Sequence, residues 1–313
     1  MADIKIKKNL PEPDPRIKKI RRRRKAIVIS GVSAILLIIV FSLVYGLLFR
    51  IKNFSIKYKE AVPYTEKEIA GALSSFEGKN LFRVSSEKIS RELERKMPYI
   101  DSVKVARKLP WTLVLTVDKS DEVFAVELNK GIYAITNGRL KVLEINTEVP
   151  KGAIMVQGRT TSDYEVGSEL RFSAKVGDDS IQKALIEIAD TTVSDEITDI
   201  TMVDIGNING IYAIYDNRII IHLGDTLNMS SKISLSKKAI DEENKISPKG
   251  YGELNVTVSK KAVFAPKDYK DIDLLIQYNE KMEGLTEEAE ENAQTDEDSS
   301  KNEEESLVSE ENQ

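Results

Sequence analysis

One uninterrupted apolar run, Ala26 to Phe49, set directly against Arg21-Arg22-Arg23-Arg24-Lys25, constrains this chain more than any other feature. No charged residue falls within it. At 1.5 Å rise per residue, a helix of this length exceeds the roughly 30 Å hydrocarbon thickness of a bilayer. A short basic piece is therefore expected on one side of a membrane, with everything from Arg50 onward on the other.

Met1 to Lys25 carry eleven Lys or Arg against Asp3, Glu12 and Asp14. Flanks enriched in Lys and Arg stay in the cytoplasm, so the N-terminus is expected inside. Arg50, Lys52, Lys57 and Lys59 weaken the asymmetry without reversing it. A cleaved signal peptide is the rival reading, but its apolar region spans about 7–15 residues and ends at small residues. This run is longer and ends in Gly46-Leu-Leu-Phe-Arg50, without an Ala-x-Ala pattern. An uncleaved signal anchor is the better reading.

The chain has no cysteine, so it can form neither disulfides nor thiolate metal sites. The exported part is long enough to fold on an ordinary core instead. The net charge of −5 averages a basic N-terminus with an acidic C-terminus. Such a balance gives no support for nucleic-acid binding. The arginine run reads as a topology signal that also meets anionic lipid.

Pro11, Pro13 and Pro15 punctuate an N-terminal segment poor in apolar residues, which is expected to be disordered. Beyond the span, Phe54, Ile56 and Tyr58 alternate as in a short strand. Thr65-Glu-Lys-Glu68 forms a capping-box pattern that opens a helix to about Ser75. Ser85-Ser86 opens a second helix, with Ile89, Leu93 and Met97 on one face and Pro98 ending it. Ile100 to Lys108 and Thr112 to Asp118 then alternate as strands. The order strand, helix, helix, strand, strand describes a unit of about 70 residues beside the membrane.

From Glu122 short strands dominate. Val123 to Leu128 and Ile132 to Thr136 flank Asn129-Lys-Gly131, and Asn137-Gly138 is the strongest hairpin signal. A helix is expected near Asp179 to Ala189, then strands over Ile197 to Ile205, Ile211 to Tyr215 and Arg218 to Leu223. A second helix over Asn228 to Glu242 follows, and Leu254 to Val258 with Ala262 to Phe264 close the sheet. Order is expected to fade from Pro266. Glu280 to Gln313 hold fourteen acids against Lys281 and Lys301, with no aromatic residue. Such a segment cannot offset its chain entropy by burial.

These residues resemble a known family, the bacterial division proteins called FtsQ, or DivIB in Gram-positive bacteria. Asn80-Leu81-Phe82 is similar to the family's Asn-Leu-Phe between its first two helices. Val103-Lys-Val105-Ala-Arg107-Lys-Leu109-Pro110, followed by Thr112-Leu113-Val114-Leu115, is similar to its most recognisable stretch. Leu223-Gly224 with Lys232-Ile233 downstream, and Ala262-Val263-Phe264-Ala265-Pro266, resemble two later landmarks. The family's Glu-Arg-x-Pro is replaced by Asp118-Lys119-Ser120-Asp121, and Asn255 stands where an Asp is common.

The resemblance implies an α+β fold: a single N-terminal transmembrane helix, a POTRA domain of order β-α-α-β-β, then a mixed α/β domain with a mostly antiparallel sheet. The expected boundaries are a basic cytoplasmic segment over 1–25, the anchor over 26–49, the POTRA domain over 50–120, a β domain over 121–266 and an acidic disordered tail over 267–313. The implied role is a scaffold of the divisome in septum formation, without catalysis or cofactor. The implied partners are membrane proteins resembling FtsL and FtsB (DivIC in Gram-positive bacteria), and through them the septal peptidoglycan synthases. The lipid bilayer is the other expected partner, and nucleic acid is not one. The implied location is the cell membrane at the division septum, single-pass, with the C-terminal domains extracytoplasmic.

The residues themselves support little catalytic chemistry. His222 is the only histidine, so no two-histidine metal site can be assembled, and its alternating strand indicates a structural or surface role. Nucleophile-elbow, phosphate-loop and dinucleotide motifs are absent from the sequence. Carboxylate pairs are too abundant to weigh without a structure, so a membrane-anchored cell-wall enzyme or glycan-binding protein stays as the alternative. A POTRA-bearing secretion component would need a series of amphipathic barrel strands, which the sequence lacks. Strand addition is better motivated. The last strands are expected to end an open sheet, whose edge offers backbone donors and acceptors to an incoming segment. Val256, Val258, Val263 and Phe264 are the candidate partner-binding residues, with Phe264 as an aromatic anchor. Core closure by the same side chains is the competing reading. Trp111 is expected as half-buried packing at a bend between strands.

Overall fold

A computed structural model describes residues 15–129, 131–172, 178–258 and 260–284. The first helix, α1, runs over Pro15–Leu48. It therefore starts eleven residues before the apolar run, and the Arg21-to-Lys25 backbone, expected as disordered, continues the same helix. Residues 1–14 lie outside the described residues. The stretch Arg24–Leu48 is long and apolar enough to cross a membrane and lies exposed along its length. Its 25 residues extend roughly 37 Å, which exceeds a bilayer core and leaves room for tilt.

The membrane-proximal unit has the expected order. Strand β1 (Asn53–Tyr58) is followed by helices α2 (Glu66–Ala72) and α3 (Ser86–Lys96) and strands β2 (Ile100–Lys108) and β3 (Thr112–Lys119). The capping box forms: the Thr65 amide donates to Glu68 Oε2 at 2.7 Å, and the Glu68 amide to Thr65 Oγ1 at 3.3 Å. Helix α2 stops sooner than expected, and a 3-10 turn over Ser74–Phe76 takes over. Strand β3 lies in the middle of the sheet, parallel to β1 and antiparallel to β2. Its alternate residues Leu113, Leu115 and Val117 are buried against Ile69, Leu73, Ile89 and Leu93 of the helical layer.

The second sheet has nine strands. They are β4 (Phe124–Asn129), β5 (Ile132–Thr136), β6 (Val142–Asn146), β7 (Ile154–Gln157), β10 (Ile200–Asp204), β11 (Ile211–Tyr215), β12 (Ile219–Gly224), β13 (Gly252–Asn255) and β14 (Val263–Pro266). Between them lie the small ribbon β8 (Thr161–Asp163) and β9 (Arg171–Phe172), helix α4 (Asp178–Ser194) and helix α5 (Met229–Ile246). The spatial order is β14-β13-β12-β11-β10-β7-β4-β5-β6. Five of the eight neighbour pairs are antiparallel, and β12/β13, β10/β7 and β4/β7 are parallel. Helices α4 and α5 cover one face, burying Ile181, Leu185, Ile188, Ile233 and Ile240 against the strands.

Two expectations fail here. Strands β6 and β7 have no counterpart in the sequence reading, although β7 is central. Three of its four residues are buried on a sheet covered on both faces, so no polar alternation marks it. The fading of order from Pro266 is also overturned. Residues 273–284 are helical (α6), and Ile272, Leu275 and Tyr278 are buried on the second sheet face with Met155, Met202 and Ile220. Lys281 Nζ donates to Glu127 at 3.0 Å and to Gln157 Oε1 at 2.7 Å, so α6 is tied to β4 and β7. The acidic segment beyond Gly284 lies outside the described residues.

Two junctions position the sheets. At the first, residues after α1 run beside the Asn80-Leu81-Phe82 motif. The Leu81 amide donates to the Phe49 carbonyl at 2.7 Å, and Asn80 Nδ2 to the Tyr45 carbonyl at 3.1 Å. A helix leaves its last four carbonyls without internal partners, so Asn80 caps the end of α1 from the next unit. At the second junction, buried Asn137 donates to Ser120 Oγ at 3.0 Å and Asp101 Oδ1 at 3.3 Å. Lys141 Nζ reaches the Ile100 carbonyl at 2.7 Å, and Tyr99 donates to Glu122 at 3.0 Å. Asn137-Gly138 therefore makes no two-residue hairpin. Its Oδ1 instead accepts from the Arg139 and Lys141 amides inside a longer loop.

Candidate partner-binding edge

The nine-stranded sheet has two edges, β6 and β14. At β6, Val142 exchanges backbone hydrogen bonds with Gly167 and Ser168, both at 2.9 Å, and the Leu170 amide donates to Leu140 at 2.8 Å. Its own chain therefore covers the start of that edge, while among the described residues no other backbone segment bonds to the outer side of Leu143 to Asn146. At β14, pairing is with β13 alone, and among the described residues no other segment bonds to its outer side. An edge of this kind presents unpaired backbone groups to a new strand.

The sequence builds this edge from a few local devices. Register pairs Leu254 with Phe264 and Glu253 with Ala265. Leu254 is buried with the α4/α5 core, so Phe264 shares that face and packs half-buried on its border. Gly252 makes room for the ring: a Cβ there would lie 2.5 Å from Phe264 Cζ and 2.7 Å from the Ala265 carbonyl. Beyond β13 the Asn255 side chain accepts from the Thr257 amide at 3.1 Å and its hydroxyl at 2.8 Å, turning the chain toward β14.

The four candidate residues separate. Val256 is fully buried in the core, so its side chain serves core closure and is not presented at the edge. Val258 and Val263 are 64% and 48% exposed, and Phe264 is half-buried. The strands themselves are displaced from the expected ranges: β13 ends at Asn255, which places Val258 in the connection to β14. Sequence reading missed the ring pair Tyr251 and Tyr269, in edge-to-face contact at 5.4 Å and partly exposed beside β14. No alternation marks either tyrosine.

The opposite face of the edge is polar. Lys267 Nζ donates to Glu253 Oε1 at 2.7 Å, and His222 Nε2 lies 3.3 Å from Glu253 Oε2. The hydrogen bond from Lys267, helped by that from His222, holds the Glu253 carboxyl below its usual value of 4.5. The group therefore stays ionised near neutral pH and ties β12, β13 and the end of β14 together.

The Leu223-Gly224 landmark supports the same region. Gly224 has φ +73°, a left-handed conformation suited to glycine, and packs against Thr257 of the β13–β14 connection. Lys232 is buried, with Nζ donating to the Asp225 carbonyl at 2.8 Å and Oδ1 at 2.7 Å. Its hydrogen bond lowers the Asp225 pKa. Trp111 is partly exposed, with the Lys52 ammonium 5.1 Å from its ring centroid. Among the described residues no group of three or more His, Cys, Asp or Glu could hold a metal ion.

Comparison with known proteins bears on all of these elements. Residues 49–119 match the family described as POTRA domain, FtsQ-type. Cell division protein DivIB of Clostridium botulinum (strain Loch Maree / Type A3) is 27% identical over 246 residues, covering 77% of this chain and 91% of that protein. The DivIB of a second C. botulinum strain (Hall) is 25% identical over 245 residues, covering 77% and 91%. The DivIB of Clostridium acetobutylicum is 25% identical over 181 residues, covering 57% and 69%. The FtsQ-type match over the membrane-proximal unit and these relatives across most of the chain make this protein similar to the FtsQ/DivIB cell division proteins and support a cell division role.

Proposed function

We propose that the chain is a non-enzymatic scaffold of septum formation, anchored by α1 with its N-terminus in the cytoplasm. Its sheet domain receives an extended segment of another single-pass division protein, of the kind resembling FtsL or FtsB/DivIC, along β14. Septal peptidoglycan synthases are then influenced through those partners. The domain boundaries follow the sequence reading, 1–25, 26–49, 50–120 and 121–266, with the sheet domain extended by residues 267–284. The observation that supports this reading is the outer side of β14, which is unpaired along the strand and carries the exposed Val263 and half-buried Phe264.

Depletion of the protein in its own cells, followed by microscopy, tests the division role. Filaments without septa are expected, and normal septation under every growth condition would overturn it. Binding is tested by co-purification of the full-length chain with its membrane partners. Phe264→Ala is expected to weaken capture by roughly 2 kcal/mol, the scale of an aromatic hot spot. Undiminished capture by a folded variant would remove the edge from the account.

A further inference from the structure

The end of α1 and the POTRA unit line an open cleft of about 560 Å³. Its lining includes Arg50, Lys79 and Arg83, together with Tyr45, Gly46 and Asn80, and contains no carboxylate. All three cations are exposed, and among the described residues none has an acidic partner within ion-pair distance. Other cations of the same unit do have acidic partners, as Lys59 has in Asp118 and Lys96 in Glu92.

Height along the anchor gives this cluster its meaning. The apolar stretch ends at Leu48, so Arg50 sits where hydrocarbon gives way to headgroups. Three rings mark the same level. Tyr45, Phe49 and Phe82 pack with centroids 5.3 to 5.6 Å apart, and Phe82, which belongs to the POTRA unit, is 44% exposed. Of these rings, Tyr45 is of the type enriched at membrane interfaces. Asn80 holds the arrangement together by capping α1 through the Tyr45 carbonyl. The cations thus sit on backbone that hydrogen bonds hold beside the end of α1, the Ile51 amide donating to the Lys79 carbonyl at 2.9 Å and the Arg83 amide to the Asn80 carbonyl at 3.0 Å.

We propose that this cleft binds the phosphate headgroup of an anionic phospholipid from the adjoining leaflet. Arg50, Lys79 and Arg83 supply charge-assisted hydrogen bonds to the phosphate, and Phe82 rests among the upper acyl carbons. One bound lipid would then lock the POTRA unit to the anchor at a defined tilt.

The test uses the full-length chain in nanodiscs of phosphatidylcholine containing a minority of phosphatidylglycerol with a photoreactive headgroup, the adducts being mapped by mass spectrometry. Capture is expected on residues 78–84. Lys79→Gln with Arg83→Gln is expected to lower it by about fivefold per charge removed. Arg83→Lys, which keeps the charge, is expected to stay within about twofold of the parent by the same accounting. Undiminished capture by the double variant overturns the proposal, as does equal capture of an identically labelled phosphatidylcholine. Displacement by excess inorganic phosphate would assign the cleft to free phosphate and overturn it equally. The inference rests on α1 crossing the bilayer. A chain that carbonate extracts from membranes refutes that premise, whereas an inserted chain without capture refutes the cleft alone.

Discussion

The ring of Phe264 lies so close over Gly252 that any side chain at residue 252 would meet it: a Cβ there would stand 2.5 Å from Phe264 Cζ. The pair joins the edge strand to its neighbour through a missing atom. Phe264 keeps one flank against the α4/α5 core because the β13 backbone beneath it is bare.

Gly252→Ala is therefore expected to cost about 2 kcal/mol, the scale of overpacking a fitted contact. The added methyl group also meets the Ala265 carbonyl, which belongs to backbone and cannot rotate away. Chemical denaturation of the full chain in detergent measures the loss. Amide exchange should quicken in β14 while the membrane-proximal sheet keeps its protection.

Acid should loosen the same edge through Glu253. Its pKa is depressed by Lys267 and His222, so its stabilisation is complete above the ordinary carboxylate value of 4.5. It is lost as pH falls through the lowered folded value. Glu253→Gln is expected to remove this share of the acid sensitivity and to lower stability at neutral pH. Parent and variant melting curves measured from neutral to acidic pH should converge at the acid end. Curves that remain parallel would contradict the linkage.

Lys232→Met keeps the volume of a buried side chain but deletes two hydrogen bonds to Asp225. A loss of about 2 kcal/mol is expected, since such bonds involve a charged donor and Asp225 can return to water. The β12–α5 turn packs on Thr257 through Gly224, so partner capture at β14 should fall together with stability. Full affinity at reduced stability would separate the turn from the edge.

Gly167 presses on the junction between the two sheets. It has φ +86°, and a Cβ there would collide with the Arg95 carbonyl. Gly167→Ala should cost at least about 1 kcal/mol, because both conformation and contact oppose it. Limited proteolysis near Ser120 to Glu122 is expected to accelerate, as the Asn137, Lys141 and Tyr99 contacts across the junction separate.

Much of this architecture was legible in the sequence, for physical reasons that can be named. Thr65 with Glu68, and Ser85 ahead of Ile89 and Leu93, announce α2 and α3 through local hydrogen bonding and period. Leu113, Leu115 and Val117 announce β3 because one face is buried and the other is not. Strand β7 escaped because Ile154, Met155 and Val156 are buried on both faces and carry no alternation. The α6 extension escaped for a different reason: Ile272, Leu275 and Tyr278 are its few anchors within an acidic composition, and tertiary contact with Ile220 and Met202 decides their state. At the edge, Val263 and Phe264 could be read from alternation at the end of the fold. The burial of Val256 and the bonds of Gly167 and Ser168 to Val142 depend on long-range pairing that local pattern does not contain.

The most direct test of strand addition exploits the absence of native cysteine. A single Val263→Cys in the full-length chain gives a unique thiol on the open edge, to be paired in cells with cysteines scanned along the exported segment of each membrane partner. Disulfide capture at alternate partner positions, with a period of two, is the result expected when that segment lies along β14. Capture at no position, in cells that divide normally with a folded variant, would contradict the scaffold reading of this edge.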